Sequence, residues 1–297
     1  MGLIKKLITK VFDYFGYTLT KNIYNKPVDI RGLSNNPRAL SYFTNTNRQI
    51  LINTTFDKGR GLEMFSLSPN SHHPFIVAIK YALTTNNYKK ALKEKLSQYY
   101  SLVQPQSSSE WLGFDKGEVP LLDNEPAWVS LLPWENSSLK NKKNGRNECA
   151  IYDNSEHGAN LDISEGWRSF GPVSDEVLEL EVNRLYKLMN SIKKNGILRD
   201  DNFGGDIGAI ILLKDETDYR WVVEWGGQHR SAAISAMGYT DISIRVWQVV
   251  ERKDVSLWPN VQSGLYSKKM ALKIFDNIYD GKFTSNITKD WKNNESK

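Results

Sequence analysis

Gly226-Gly227-Gln228-His229-Arg230-Ser231 is the stretch of this chain whose residue types and order could do chemistry. The two glycines follow Tyr219 to Trp225, a Val- and Trp-rich run that predicts a strand, and precede Ser231 to Met237, a small-residue run that predicts a helix. A strand that turns directly into a helix presents unpaired backbone amides at the positive end of the helix dipole, where negative charge is favoured. Glycine lets the backbone approach a ligand closely, and His229 and Arg230 add side-chain donors, the arginine as a planar fork matched to phosphate oxygens. An ordinary strand-to-helix turn with its Arg in a surface ion pair is the plainer alternative. The added His-Arg and the following Ser-Ala-Ala favour an anion site, with phosphate as the natural occupant.

The elements that must hold this turn are punctuated clearly. Ser174 suits an N-cap, Asp175 and Glu176 suit the positive helix end, and Val177, Leu178, Leu185, Leu188, Met189 and Ile192 follow at helical spacing before Lys193, Lys194 and Gly196, so a helix is predicted from about 175 to 194. Ala209 to Leu213 predicts a buried strand, Lys214 to Asp218 a turn and Ile242 to Trp247 a further strand, with Gly238 closing the helix between. The predicted order is helix, strand, strand, glycine turn, helix, strand.

Upstream, Leu3, Ile4, Leu7, Ile8, Val11, Phe12 and Phe15 interleave with Lys5, Lys6 and Lys10, predicting an amphipathic helix over 1–16 that docks on the body or makes peripheral contact with an anionic membrane surface. Pro74 to Leu83 reads as a helix continuing through Tyr88 to Tyr100; Gln104 to Ser109 reads as a polar linker, and Asn136 to Asn147 as the most disorder-like internal stretch. These features place a domain boundary near residue 150 and predict an α+β protein, with 17–150 mostly helical and irregular and 151–297 carrying the core described above.

Composition narrows the function classes. The 297 residues are 40% hydrophobic and 25% charged, which fits a folded globular chain and excludes collagen-like or repeat architectures. No run reaches the roughly 18 apolar residues of a membrane span, and the single cysteine, Cys149, suits a reducing compartment, so a cytoplasmic location is expected. The net charge of +5 is compatible with polyanion binding or with an anionic small-molecule site. Nine tryptophans and fourteen tyrosines favour a compact body over a nucleic-acid-binding tail; Trp111, Trp128, Trp134 and Trp167 could line a pocket, with core packing their simpler role. His72, His73 and His157 have no metal-site spacing, and no nucleophile elbow, Walker loop or dinucleotide fingerprint occurs.

Tyr219 to Trp247, "YRWVVEWGGQHRSAAISAMGYTDISIRVW", preceded by "SIKKNGI" at 191–197, resembles the ParB/sulfiredoxin-like superfamily over about residues 172–250. Sulfiredoxins carry a cysteine where this chain has Gln228, so their sulfinic-acid chemistry is not implied. What the resemblance does imply is nucleotide binding, as in CTP-hydrolysing partition proteins and free serine kinases, with ATP, another nucleoside triphosphate or ADP held by Gly226, Gly227, Gln228, His229, Arg230 and Ser231. No helix-turn-helix pair follows residue 250, so nucleic acid is not expected as a partner.

The loop after Leu198 departs from that family's pattern. Its Asp200, Asp201 and Asp206 could face a nucleotide, with Asp201 and Asp206 as candidate magnesium ligands and all three as candidate catalytic groups. Each alone reads more simply as a solvated turn residue. The family kinases place a catalytic Glu before this region, which makes Glu181 a further candidate; the plainer reading is a helical ion pair with Arg184. Together these point to an ATP- and Mg2+-dependent phosphotransferase acting on a hydroxyl of a small metabolite, serine or a sugar-like alcohol. The alternatives are a nucleotide-gated DNA-associated binding protein and a catalytically silent scaffold.

Overall fold

A computed structural model of the chain describes residues 26–43, 49–199, 206–282 and 286–295. The amphipathic segment 1–16 lies outside the described residues. The protein is α+β, built on one mixed seven-stranded sheet with the order β1-β2-β7-β5-β6-β3-β4. The strands are β1 (Val28–Asp29), β2 (Ile50–Thr55), β3 (Gly59–Gly61), β4 (Phe65–Ser66), β5 (Ile207–Leu213), β6 (Tyr219–Trp225) and β7 (Asp241–Glu251). Central β5 is buried at every position, as its unbroken apolar sequence dictates for a strand covered on both faces. It pairs antiparallel with β6 and parallel with β7. Parallel pairing needs a crossover, and the turn and helix after β6 supply it.

The main helices are α1 (Pro74–Leu83), α2 (Tyr88–Leu102), α3 (Leu139–Ser155), α4 (Asp175–Asn195), α5 (Gln228–Ala236), α6 (Lys268–Asp280) and α7 (Lys289–Glu295). Ser174 caps α4 by accepting from the Val177 amide at 3.2 Å, as its sequence predicts. Helices α1, α2, α4 and α5 pack against one another. The helical segments expected over Pro74 to Leu83 and Tyr88 to Tyr100 both form, and Asn87 caps the second by accepting from the Lys90 amide. Helix α5 begins at Gln228 rather than Ser231, since left-handed Gly227 (φ 93°) serves as its N-cap.

Two further expectations are corrected. Residues 136–147, disorder-like in composition, largely belong to α3, which Ser138 caps and which Lys142–Glu135 and Lys143–Glu125 ion pairs at 2.6 Å fasten to the preceding loop. The boundary placed near residue 150 therefore falls inside a helix. Strands from both halves also share one sheet: β2 pairs with β7 along six positions, β3 pairs with β6, and a single apolar cluster runs from Ile30 to Trp291. The described residues of the 17–150 region thus contribute to the same sheet and apolar cluster. Trp111, Trp134 and Trp167 are buried in that cluster, and Trp128 packs against it. Among the described residues, no helix is long and apolar enough to cross a membrane.

The β3–β6 contact has no room to spare. A Cβ on Gly59 would lie 2.5 Å from the fully buried Trp221 ring, whereas one on Gly32 would meet nothing within 4 Å. Gly59→Ala is expected to lower unfolding free energy by about 1–3 kcal/mol in denaturant titration, against less than about 0.5 kcal/mol for Gly32→Ala.

Candidate functional site

The turn between β6 and α5 takes its shape from two left-handed glycines, Gly226 (φ 66°) and Gly227 (φ 93°). A side chain at Gly227 would also strike Ile207 at 2.9 Å, so backbone freedom and close packing both require glycine there. No side chain caps α5, which leaves its first amides directed outward beside a cavity of about 480 Å³ lined by His157, Arg184, Lys187, Gly227, His229 and Arg230. His157 reports the field there: desolvation, then Arg184 and His229, lower its pKa below the usual imidazole value, against the opposing pull of Glu181.

The predicted box residues divide by role. Gly227, His229 and Arg230 face the cavity. Gln228 is occupied at both ends, its Nε2 donating to the Val223 carbonyl at 2.9 Å and its Oε1 accepting from the Leu62 amide at 2.8 Å. Ser231 is fully buried and its hydroxyl donates back to the Gly227 carbonyl at 2.8 Å. These two residues hold the turn and do not present their side chains to an anion. Arg230 is anchored, donating through Nη2 to the Asp206 carbonyl at 3.1 Å.

Glu181 stands behind the cavity, 1% exposed. Its Oε2 lies 2.5 Å from His229 Nε2 and its Oε1 accepts from Arg184 Nη1 at 2.6 Å. Burial opposes its ionisation, but the charge and hydrogen bond of His229, then Arg184 and Arg168, outweigh that and hold its pKa at about 2. With both oxygens engaged, Glu181 positions His229 and Arg184 and is not a free base. The Phe75 ring stacks on His229 at 4.9 Å and completes the clamp.

Asp200 and Asp201 lie outside the described residues. Asp206 is buried and forms ion pairs with Arg199 and Arg245, both at 2.9 Å. A magnesium ion at Asp206 would meet these two guanidiniums and the nearby Arg230, and among the described residues no group of three or more His, Cys, Asp or Glu side chains converges. Asp206 is thus engaged by arginines, and Asp201, the other expected magnesium ligand, lies outside the described residues. Sequence reasoning missed Lys187 and the part of His157 in this cavity; Lys187 sits three positions after Arg184 on α4, a spacing that places both on one helix face.

Neither a known protein family, nor a curated protein, nor a solved structure matches the chain.

Removing the Glu181 charge leaves buried Arg184 and half-buried His229 without their common partner. Glu181→Gln is expected to cost about 3–5 kcal/mol of stability at pH 7, read by denaturant unfolding. Because the folded carboxyl titrates near 2, below its ordinary 4.5, the stabilisation is present above about pH 4.5 and fades as pH falls toward 2, so wild type and variant should converge in acid.

Proposed function

We propose that the protein is a nucleotide-dependent phosphotransferase with a ParB/sulfiredoxin-like core over about residues 172–250. It binds the phosphates of ATP, another nucleoside triphosphate or ADP at the start of α5 and phosphorylates a hydroxyl of a small metabolite. The observation that carries this reading is the convergence of Arg184, Lys187, His229 and Arg230 on the cavity at an uncapped helix start. Phosphoryl transfer asks a protein mainly for charge neutralisation and positioning. Both are supported here, since Glu181 fixes His229 and Arg184, and the Asp206 carbonyl fixes Arg230. Lys187, exposed and without an ion-pair partner among the described residues, is free to meet a terminal phosphate. The succession α4, β5, β6, glycine turn, α5, β7 supports the core assignment. Sulfiredoxin-type reduction has no support, because Gln228 is locked into the turn and exposed Cys149 lies on α3.

A panel of ATP, CTP, GTP, ADP and inorganic pyrophosphate, with and without magnesium, is expected to include ligands that raise the melting temperature, by the equivalent of about 2.7 kcal/mol at 100 times the dissociation constant. Arg230→Ala should weaken nucleotide binding by about 1.5–3 kcal/mol, with Lys recovering part of the loss. Lys187→Ala should also weaken it while leaving unliganded stability within about 0.5 kcal/mol. No shift with any of these compounds would overturn the phosphate site; duplex DNA binding that falls steeply with salt, without phosphoryl transfer, would favour the DNA-associated alternative.

A further inference from the structure

Arg230 faces a second cavity besides the one at the start of α5. This cavity, of about 360 Å³, lies between the segment that follows α4, helix α5 and strands β2, β5 and β7. Its walls are largely aliphatic: Ile207 and Ile234 are 2% and 1% exposed, and Ile197, Leu198 and Ile242 complete them. Of the two acids that line it, Asp206 is already taken by Arg199 and Arg245. Apart from Arg230, the remaining polar edge is formed by Asn53, Asp241 and Ser243.

Hydrogen bonding fixes which groups that edge offers. Asn53 and Ser243 are partners in the β2–β7 register, and Asp241, two residues before Ser243, lies on the same face of β7. Arg31, itself held by Asp29 at 2.7 Å, donates through Nη1 to Ser243 Oγ at 3.2 Å. A guanidinium only donates, so the Ser243 hydroxyl receives this bond and gives its own proton to Asn53 Oδ1 at 2.8 Å. The Asn53 side-chain oxygen is thereby used, and its Nδ2 makes no hydrogen bond among the described residues. Asn35 clasps the Asn53 backbone, donating to its carbonyl at 3.0 Å and accepting from its amide at 2.8 Å. Asp241 Oδ2 accepts from Thr240 Oγ1 at 2.6 Å, with no hydrogen bond to Oδ1 among the described residues. The cavity therefore presents one N–H donor and one carboxylate acceptor beside aliphatic walls, on diagonal strand neighbours about 7–8 Å apart at Cα.

We infer that this cavity holds the base of the nucleotide whose phosphates occupy the start of α5, and that Asn53 and Asp241 select a base carrying an exocyclic amine. The phosphates are those of the function proposed above, on which this assignment rests. A heterocycle has apolar faces for the aliphatic walls and confines its donors and acceptors to its edge, whereas a sugar-like alcohol or an amino acid would lose water on every side to the same walls. Adenine, cytosine and guanine each carry an amine close to a ring acceptor, which matches Asp241 as acceptor and Asn53 as donor. Uracil flanks its single N–H with two carbonyls, and these would be turned toward the Asp241 carboxylate. Arg230 lines both cavities, so a ligand that fills the two passes it between base and phosphates. Asn53 belongs to β2, outside residues 172–250, so base selection draws on the N-terminal half of the chain.

Calorimetric titration of the full chain with inorganic pyrophosphate, ATP, CTP, GTP and UTP tests the site. At least one of ATP, CTP and GTP should bind about tenfold or more tighter than both pyrophosphate and UTP. Asn53→Ala and Asp241→Ala should each weaken that nucleotide about tenfold and leave pyrophosphate within about twofold, whereas Arg230→Ala weakens both. Asp241→Asn, which keeps an acceptor and adds a donor, should close most of the gap to UTP. Asn53 and Asp241 are both exposed, and unchanged pyrophosphate affinity reports that each variant keeps its fold. Nucleotides binding no more tightly than pyrophosphate, affinity indifferent to either substitution, or UTP binding as well as the other three overturns the base pocket and leaves the phosphate site standing. Failure of pyrophosphate and every nucleotide to bind overturns the phosphate site and the base pocket with it. Binding as stated without transfer to serine, D-glucose or myo-inositol leaves the base pocket standing and counts against the phosphotransferase reading alone.

Discussion

A buried carboxylate is tolerable only when its charge is matched at close range, and Glu181 imposes that condition on everything around the cavity at the start of α5. Matching it draws His229 of α5 and Arg184 of α4 to the same two oxygens. Arg184 then reaches on to the Asp153 carbonyl near the end of α3, and His229 is stacked by Phe75 of α1. Four helices are thus registered against one charge. Any shift of α4 relative to α5 would expose that charge to an apolar interior, so the orientation of Arg184 and His229 is set before any ligand arrives.

Asp206 plays the corresponding part on the sheet side. It sits at the entry to β5, and its carboxylate takes Arg245 from β7 and Arg199 from the segment after α4, while its carbonyl takes Arg230 from α5. Two buried acids therefore flank the first turn of α5, each neutralised by basic groups from different elements. The acids act by placing positive charge, which is a different task from the catalytic or metal-binding one that their residue type suggests in a bare sequence.

How much could be read in advance follows from how local each signal is. Helix α4 declares itself through its cap, its apolar stripe and its terminal lysines, and β6 through its run of Val and Trp, so both were legible to within a residue. The glycine turn was legible for the same reason, since its backbone requirement is written in adjacent residues. Helix α3 was not: only Ala150 and Asn154 of it are buried, and ion pairs to Glu63, Glu125 and Glu135 hold it. Nor were β2 and β3, short strands whose partners lie far along the chain. In the glycine turn, Gln228 and Ser231 have the residue types of an anion site but spend their polar atoms on the turn itself. Of the four tryptophans that could line a pocket, Trp134 and Trp167 do line a cavity of about 570 Å³ beside Gln228, where Glu63, Arg146 and Glu224 join them only through the fold.

The pairing of β2 with β7 joins segments as distant as Asn53 and Ser243, 190 residues apart. During synthesis β2 leaves the ribosome long before its antiparallel partner exists, and β3 waits similarly for β6. Until then β2 has only β1 and β3 only β4 beside it, the other edge of each lacking its native neighbour, and loop-closure entropy opposes the late pairing. The centre of the sheet can consequently be completed only after most of the chain has been made, and the two early strand pairs present open edges until then.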